Sequence, residues 1–128
     1  MKYYIINHSF DSYVKTKEYC GFINKDERNI VNIGDYIIYF GQGVIFGIFE
    51  AIDLVDNEFN NWKGNYPYQI KLKPIYLSQR GILAKTFSEK FKLLREDNQY
   101  RNIVELNEDE YILIKNSILE NKKEIKVV

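Results

Sequence analysis

The sequence predicts a mixed α+β fold in which helices flank a small β-barrel. Three stretches between Ile33 and Leu77 are rich in β-branched and aromatic residues, and only short turn-like breaks separate them. Apolar residues at helical spacing occur before and after this block. The 128 residues fit one domain of ordinary size, so we expect a single domain over residues 1–128.

The first part of the chain predicts a strand, a helix and a long connection. Tyr3–Asn7 has the composition of a strand, and Phe10–Tyr19 has apolar residues at helical spacing. Either Ser9 or Asp11 can cap this helix. Residues 20–35 are mostly polar. We expect them to form a surface connection, where small domains often carry binding residues.

The central block predicts the strands of the barrel. A Gly-Asp pair at 34–35 marks the turn into the first of them, and Gly41-Gln42-Gly43 predicts a tight hairpin. The third strand contains Pro67 near its start and Pro74 late in its length. Because proline cannot donate to the ladder, that strand should lie at an edge or carry a bulge. The predicted strands are Tyr36–Phe40, Val44–Val55 and Tyr66–Leu77.

The C-terminal part predicts a helix, a short strand and a second helix. Apolar residues at helical spacing indicate a helix over 83–95, and Ile103–Glu105 indicates a final strand. Asn107 is a strong helix cap, and the acids at 108–110 would lie at the positive end of the helix dipole. The charged tail, residues 121–128, is compatible with a terminal strand, a linker or a cut edge.

The charge balance and the cysteine content restrict the partners and the compartment. The 18 basic and 18 acidic residues cancel, so nucleic-acid binding requires a local patch. The single cysteine, Cys20, cannot form an internal disulfide, as is typical of a reducing cytoplasm. Residues 1–10 are too short and too polar for a signal peptide, and no apolar stretch approaches membrane-spanning length. We therefore expect a soluble, cytoplasmic protein with no membrane partner.

The sequence offers little for catalysis, metal binding or a cofactor. Cys20 as a nucleophile would need a partner such as His8, and nothing places the two together. His8 is the only histidine, so a metal site lacks the usual partners. Glu50, Asp35 and His8 show no paired acid and base arrangement. We predict a binding module with no catalytic residues, no metal and no cofactor.

Several motifs carry a resemblance to a known family. They are KYYIINHS at the first strand, YCGF, NIGDYIIYF, GIFEAI and NYPYQIKLKPI, of which the last is the most specific. The sequence resembles the EVE domain, a member of the PUA-like barrel superfamily that also includes the YTH readers of methylated adenine. Two positions depart from the family pattern, because Phe22 and Tyr13 stand where tryptophan is common. The resemblance implies a PUA-like mixed β-barrel over nearly the whole chain.

The resemblance also implies a function and a set of site residues. Its members flip a modified base out of DNA or RNA into an aromatic pocket, and some form the recognition part of modification-dependent restriction systems. By analogy Asn7 and Ser9 read the edge of the base, and the candidate walls of the pocket are Phe22, Tyr39 and Trp62. Three of these residues have a structural alternative: Tyr39 can be core, and Asn7 and Ser9 can simply end a strand and cap a helix.

The sequence also suggests candidate phosphate contacts and two alternative functions. Lys25, Arg28 and Lys63 are the candidate phosphate contacts, although each also suits a solvated surface. One alternative is a PUA-like protein that binds tRNA or rRNA. Another is an enzyme acting on a small nucleotide-like ligand.

Overall fold

Six strands form one mixed sheet with three helices around it, within the residues that the computed structural model describes, 1–83 and 102–127. The strands are β1 (Tyr3–Asn7), β2 (Tyr19–Phe22), β3 (Tyr36–Gly41), β4 (Val44–Asp56), β5 (Tyr68–Leu83) and β6 (Ile103–Leu106). The helices are α1 (Phe10–Lys15), α2 (Lys25–Arg28) and α3 (Glu108–Val127). None of the helices in these residues is long and apolar enough to cross a membrane.

The strand order in the sheet is β2-β5-β4-β3-β1-β6. β3, β4 and β5 form an antiparallel meander, and β1 pairs with β3 in the parallel direction and with β6 in the antiparallel direction. The β4–β5 ladder changes register at three places, and such bulges bend and twist long strands. The sheet therefore curls into a half-barrel, which confirms the predicted α+β class with a small barrel-like sheet flanked by helices.

Apolar residues are buried on both faces of the sheet. Tyr4 and Ile6 of β1 belong to one buried cluster, and Ile5 between them belongs to another, as strand alternation requires. The first cluster is aromatic and includes Tyr39, Phe46 and Phe49 of the central strands. The second is mostly aliphatic, and α3 covers it with Tyr111, Ile114 and Ile118.

Residues 16–35 differ from the prediction. α1 ends at Lys15 because Thr16 is extended, and Tyr19–Phe22 then pairs with β5 instead of continuing the helix. The predicted surface connection contains this strand and the short helix α2, which Asn24 caps by accepting from the Asp26 and Glu27 backbone N–H groups. Strand β2 was missed because its pairing depends on residues about 50 positions away.

The central strands agree closely with the prediction. Gln42 and Gly43 both have positive φ at the β3–β4 turn, at 53° and 84°, which confirms the tight hairpin. Pro74 lies beyond the part of β5 that pairs with β2, and a register shift occurs opposite it, next to Phe49. Pro74 therefore lies both at a local edge of the sheet and beside a bulge, the two positions predicted for it.

The C-terminal part is confirmed where the structure describes it. The predicted strand is β6, and Asn107 and Glu110 cap α3 reciprocally, since each side chain accepts from the other's backbone N–H at 3.0 and 2.8 Å. α3 continues to Val127, so the tail is helical rather than a strand or a linker. Of the helix predicted over 83–95, Leu83 ends β5 and the remainder lies outside the described residues.

Candidate functional site

The end of β1 crosses the end of β3 and turns directly into α1. The His8 backbone N–H donates to the Phe40 carbonyl at 2.7 Å, which continues the sheet by one bond. A Cβ at position 41 would collide with the His8 carbonyl oxygen, so this crossing requires Gly41. Ser9 then caps α1 by accepting from the Ser12 N–H at 3.0 Å. Asn7, His8 and Ser9 are thus fixed at the rim of the half-barrel.

A cleft of about 570 Å³, which we call the central cleft, opens at this rim. Its volume lies within the usual range for sites that bind small ligands. Among the described residues that line it, none carries a formal charge when histidine is neutral. Its polar side chains include three amides that can both donate and accept, on Asn7, Gln42 and Asn102. The cleft suits a neutral ligand with both donor and acceptor groups.

His8 is a buried polar residue of the central cleft. It is only 8% exposed, and burial lowers the pKa of its imidazole to about 4, so the ring is neutral at pH 7. Its Nδ1 lies 2.8 Å from the Tyr39 hydroxyl. This hydrogen bond joins the two side chains, and the tautomer of the ring decides which of them donates. Nε2 is buried and has no hydrogen-bond partner among the described residues.

Aromatic rings surround His8 behind the central cleft. The rings of Trp62 and Tyr66 meet the His8 ring edge-on, at centroid distances of 4.9 and 5.1 Å. Trp62 also donates its indole N–H to the Ser12 carbonyl at 3.2 Å. A Cβ on Gly21 would lie 2.6 Å from both the Trp62 ring and the Tyr66 Cβ, so glycine lets these aromatic residues pack directly on β2.

The structure brings together three of the five predicted pocket residues. Asn7, Ser9 and Phe22 line the central cleft. Tyr39 is fully buried in the aromatic core behind it and reaches the site through His8. Trp62, one of the predicted walls, is only 7% exposed and lines a neighbouring cleft instead of the central cleft.

Arg28 contradicts the expectation of a phosphate contact. It is 6% exposed, and its Nη1 donates to the Val55 carbonyl at 2.8 Å and pairs with Asp56 at 3.0 Å. Its Nε donates to Asn29 at 2.8 Å. The guanidinium therefore ties α2 to the ends of β4 and β5 and is not available at the surface.

The two predicted lysines remain accessible but differ in position. Lys63 has a side chain that is 87% exposed, and its ammonium lies 3.9 Å from Asp11. It lines the same neighbouring cleft as Trp62. Lys25 is exposed on α2 and is not among the residues that line either of these two clefts.

Sequence reasoning missed several cleft residues. The sequence patterns assign His8 no role in a binding pocket, and they assign none to Tyr66, Gln42, Ile23 or Asn102, although all five line the central cleft. Gln42 carried a usable signal, because a glutamine between two glycines at a hairpin tip is placed where a ligand can reach it. Asn102 carried no such signal, because its position depends on Glu27. The Glu27 carboxylate accepts from the Asn102 backbone N–H at 3.0 Å and from the Asn102 side-chain amide at 3.1 Å.

The site lacks features of a metal or thiol centre in the part of the chain that the structure describes. No group of three or more His, Cys, Asp and Glu side chains there could hold a metal ion. Cys20 is fully buried, and this burial raises the pKa of its thiol, which disfavours the nucleophilic thiolate.

The fold is similar to solved structures at low sequence identity. The Mmi1 YTH domain in complex with RNA gives a TM-score of 0.70 at 16% identity, covering 96% of this chain and 80% of that one. The YTH domain of Zygosaccharomyces rouxii MRB1 protein, in complex with N6-methyladenosine RNA, gives 0.67 at 11% identity, with 91% and 86% covered. Protein Atu2648 from Agrobacterium tumefaciens gives 0.62 at 14% identity, with 92% and 93% covered.

Sequence comparison adds no closer assignment. No protein-family model matches the sequence, and no curated protein matches it either. The structural similarity extends over more than nine-tenths of the chain in each of the three cases. The curled sheet, with its central cleft at the end of β1, is therefore a YTH-like fold.

Proposed function

We propose that this chain is a reader module that binds nucleic acid and recognises a modified base flipped into the central cleft. The observation that carries this proposal is the chemistry of the cleft: it is uncharged, lined by amides and bordered by aromatic residues. A nucleobase is neutral, aromatic and edged with donors and acceptors, so it matches each of these properties. A phosphate or a carboxylate matches none of them.

The structural neighbours support the same function and suggest the first target. MRB1 and the Pho92 YTH domain were crystallised with N6-methyladenosine RNA and with m6A, respectively. We therefore propose RNA carrying N6-methyladenine as the first ligand to test, with DNA and modified cytosine as the alternatives. We also propose that the chain is a single EVE-type domain acting in the cytoplasm, on the strength of its Tyr-Pro-Tyr strand, its Gly-Asp strand entry and its lone buried cysteine.

Individual residues take distinct roles in this proposal. Asn7 and Ser9 read the edge of the base, because both line the central cleft at the end of β1. Phe22 borders the same cleft, but its side chain is only 1% exposed and belongs to the buried aromatic core. Tyr39 and Trp62 act from behind, by holding His8 through its Nδ1 and through an edge-on ring contact. The three predicted walls are thus buried side chains that support the site.

The energetics set the size of the expected discrimination. Unstacking a base costs a few kcal/mol, and stacking on an aromatic side chain returns about 1–3 kcal/mol. One buried methyl adds about 1 kcal/mol, which corresponds to a preference of roughly fivefold. A larger preference would require the unmodified base to lose a hydrogen bond in the cleft.

A binding role fits the central cleft better than catalysis does. The His8 imidazole is neutral, and its Nδ1 is hydrogen-bonded to the Tyr39 hydroxyl. With a pKa of about 4, this ring is a weak general base at neutral pH. The nearby thiol of Cys20 is buried in the core rather than in the cleft. We infer that the chain binds its target without transforming it.

Fluorescence polarisation with short labelled RNA and DNA tests the proposal. Each oligonucleotide is used with and without one N6-methyladenine or one modified cytosine. We expect a modified oligonucleotide to bind at least fivefold more tightly than its unmodified partner. Asn7→Ala should remove this preference, whereas Asn116→Ala, on the exposed side of α3, should keep it. Equal affinity for every modified and unmodified pair would refute the reader function.

A further inference from the structure

Two further clefts flank the central cleft. A cleft of about 330 Å³ shares Ser9 and Tyr66 with it, and we call this the basic cleft. A groove of about 440 Å³ shares Gln42 with it, and we call this the aromatic groove. The start of α1 touches all three, because its cap Ser9 lines two of them and its first residue Phe10 lines the third. The three depressions therefore adjoin one another around the start of α1, and we call them together the track.

The basic cleft differs from the central cleft in charge. Lys15 and Lys63 line it, together with the hydroxyl-bearing Ser9 and Ser12. Asp11 also lines it, but its carboxylate reaches the Lys63 ammonium only at 3.9 Å, and both side chains are largely exposed. So loose an ion pair contributes little and can be exchanged for a phosphate. This end of the track suits an anionic group.

The aromatic groove offers an exposed ring. Phe10 is 51% exposed and packs against Phe46 at a centroid distance of 5.5 Å, while Tyr13 stacks on Phe46 at 4.6 Å. The ring of Phe10 is thus supported from beneath and open above. The groove also holds the Ser78 hydroxyl, which is buried without a hydrogen-bond partner among the described residues. An aromatic group with polar edges is the ligand that fits such a lining.

We propose that the track binds a single strand of RNA: the read base occupies the central cleft, a phosphate beside it lies in the basic cleft, and a neighbouring base stacks on Phe10 in the aromatic groove. This proposal rests on the reader function and adds the partner's form, which is single-stranded and longer than one nucleotide. Alternating negative and aromatic groups are a property of a nucleic-acid strand, and the track repeats that alternation. A duplex would keep the neighbouring base paired and unavailable to Phe10.

Affinity as a function of ligand length tests the track directly. Isothermal titration calorimetry compares the modified nucleoside, the modified trinucleotide and a modified pentanucleotide. We expect the pentanucleotide to bind at least tenfold more tightly than the nucleoside. If both bind equally while the preference for the modified base remains, the track is wrong and the reader function stands. If no probe binds, both proposals fail.

Substitutions test each end of the track separately. Phe10→Ala should weaken pentanucleotide binding between about fivefold and one hundredfold, as expected for a lost stacking contact, and should leave nucleoside binding unchanged. Val14→Ala removes apolar surface from an exposed position of the same helix, away from the three clefts, and should change neither. Equal losses for nucleoside and pentanucleotide would overturn the stacking role of Phe10.

The basic cleft predicts a change in salt dependence. Each phosphate contact to a single strand contributes about 0.7 to the slope of log K against log salt concentration. Lys63→Gln should lower that slope by about 0.7, and Lys15→Gln with Lys63→Gln by about 1.4 if both contact phosphates. Lys73→Gln, exposed on β5 and outside the three clefts, should leave the slope unchanged. The same slope in all of these variants would overturn the phosphate site.

Discussion

Arg28 and His8 are both buried polar side chains, but they differ in how completely they are bonded. Arg28 donates to Val55, Asp56 and Asn29, and its guanidinium lies over the Tyr68 ring. His8 uses only Nδ1, and its Nε2 has no partner among the described residues. An unsatisfied buried donor or acceptor costs about 1–3 kcal/mol. The fold therefore keeps its polar groups bonded at the Arg28 end and leaves one open beside the central cleft.

The difference separates a structural region from a candidate functional one. Beside Arg28, the Gln69 amide is also fully used, since it accepts from Glu58 and Phe59 and donates to Phe59 and Tyr66. These bonds anchor the loop that carries Trp62 and Tyr66 to the rim. Buried polar groups in native proteins are nearly always bonded, so an open one needs a reason. A ligand site supplies that reason near His8.

The largest expected effect on stability comes from removing the hydrogen bonds that Arg28 makes. Arg28→Met should lower the free energy of unfolding by about 4 kcal/mol, because it leaves buried carbonyl groups without donors. Urea denaturation measures this loss, and Lys25→Met on the same helix should change it by less than about 0.5 kcal/mol. The salt slope of RNA binding should stay the same in folded Arg28→Met. A reduced salt slope would show that Arg28 does contact a phosphate.

The pH dependence of stability tests the second of the two residues, the buried His8. The pKa of folded His8 is about 4, below the ordinary value of 6.5, so the unfolded chain takes up the proton first as the pH falls. Stability should therefore decrease between about pH 6.5 and pH 4, with no further contribution from His8 below that. This lowering of the His8 pKa corresponds to a loss of roughly 3 kcal/mol in the free energy of unfolding.

Comparison with His8→Gln isolates this contribution from that of the carboxylates. The wild-type protein should lose roughly 3 kcal/mol more than the variant between pH 7 and pH 4, as measured by urea denaturation at each pH. Parallel curves for the two proteins would show that His8 is solvated rather than buried.

Gly21→Ala should have a smaller effect on stability and a clear effect on the site. The added Cβ would lie 2.6 Å from the Trp62 ring and from the Tyr66 Cβ, so both residues must move. Overpacking of this kind costs about 2 kcal/mol. The displaced rings should also weaken binding of the modified base. Gly34→Ala is a control with open space around it, although its positive φ adds backbone strain of its own.

Ser9→Ala should have the smallest effect on stability. It removes the cap of α1, which is worth about 1 kcal/mol, and it removes one proposed reader of the base. Ser9→Asn restores an uncharged cap but changes the polar group that faces the central cleft. If Ser9 is only a cap, Ser9→Asn should bind RNA as well as the wild-type protein does. If Ser9 reads the base, both variants should bind more weakly.

Local sequence signals predicted most of the sheet. The hairpin at Gln42, the bulged edge around Pro74 and the capped start of α3 at Asn107 each depend on residues close together in the chain. β2 could not be predicted, because YCGF is too short to show a periodicity and becomes a strand only by pairing with β5. The same reason explains α1, which a helical pattern extended to Tyr19 but which the pairing of β2 ends at Lys15.

Site residues at the end of a strand could be predicted from the sequence. Site residues whose position depends on packing against distant parts of the chain could not. Asn7 and Ser9 were recognisable because a strand ends and a helix begins there. The polar loop around Trp62 gives no sign of its burial, which depends on packing against Gly21 and His8, both far away in the chain. Arg28 lies in a charged tetrapeptide that indicates a surface. Its burial depends on carbonyl groups of β4 and β5 that no local pattern reveals.

The position of β1 in the sheet has a consequence for synthesis of the chain. β1 lies between β3 and β6, and the Asn7 backbone N–H donates to the Asn102 carbonyl at 2.8 Å. β1 therefore lacks one of its neighbours until residue 106 has been made. Contacts of such long sequence separation form late and slowly. The central cleft, to which both Asn7 and Asn102 contribute, can be completed only after these residues have been synthesised, so chains that stop before residue 102 should not bind the ligand.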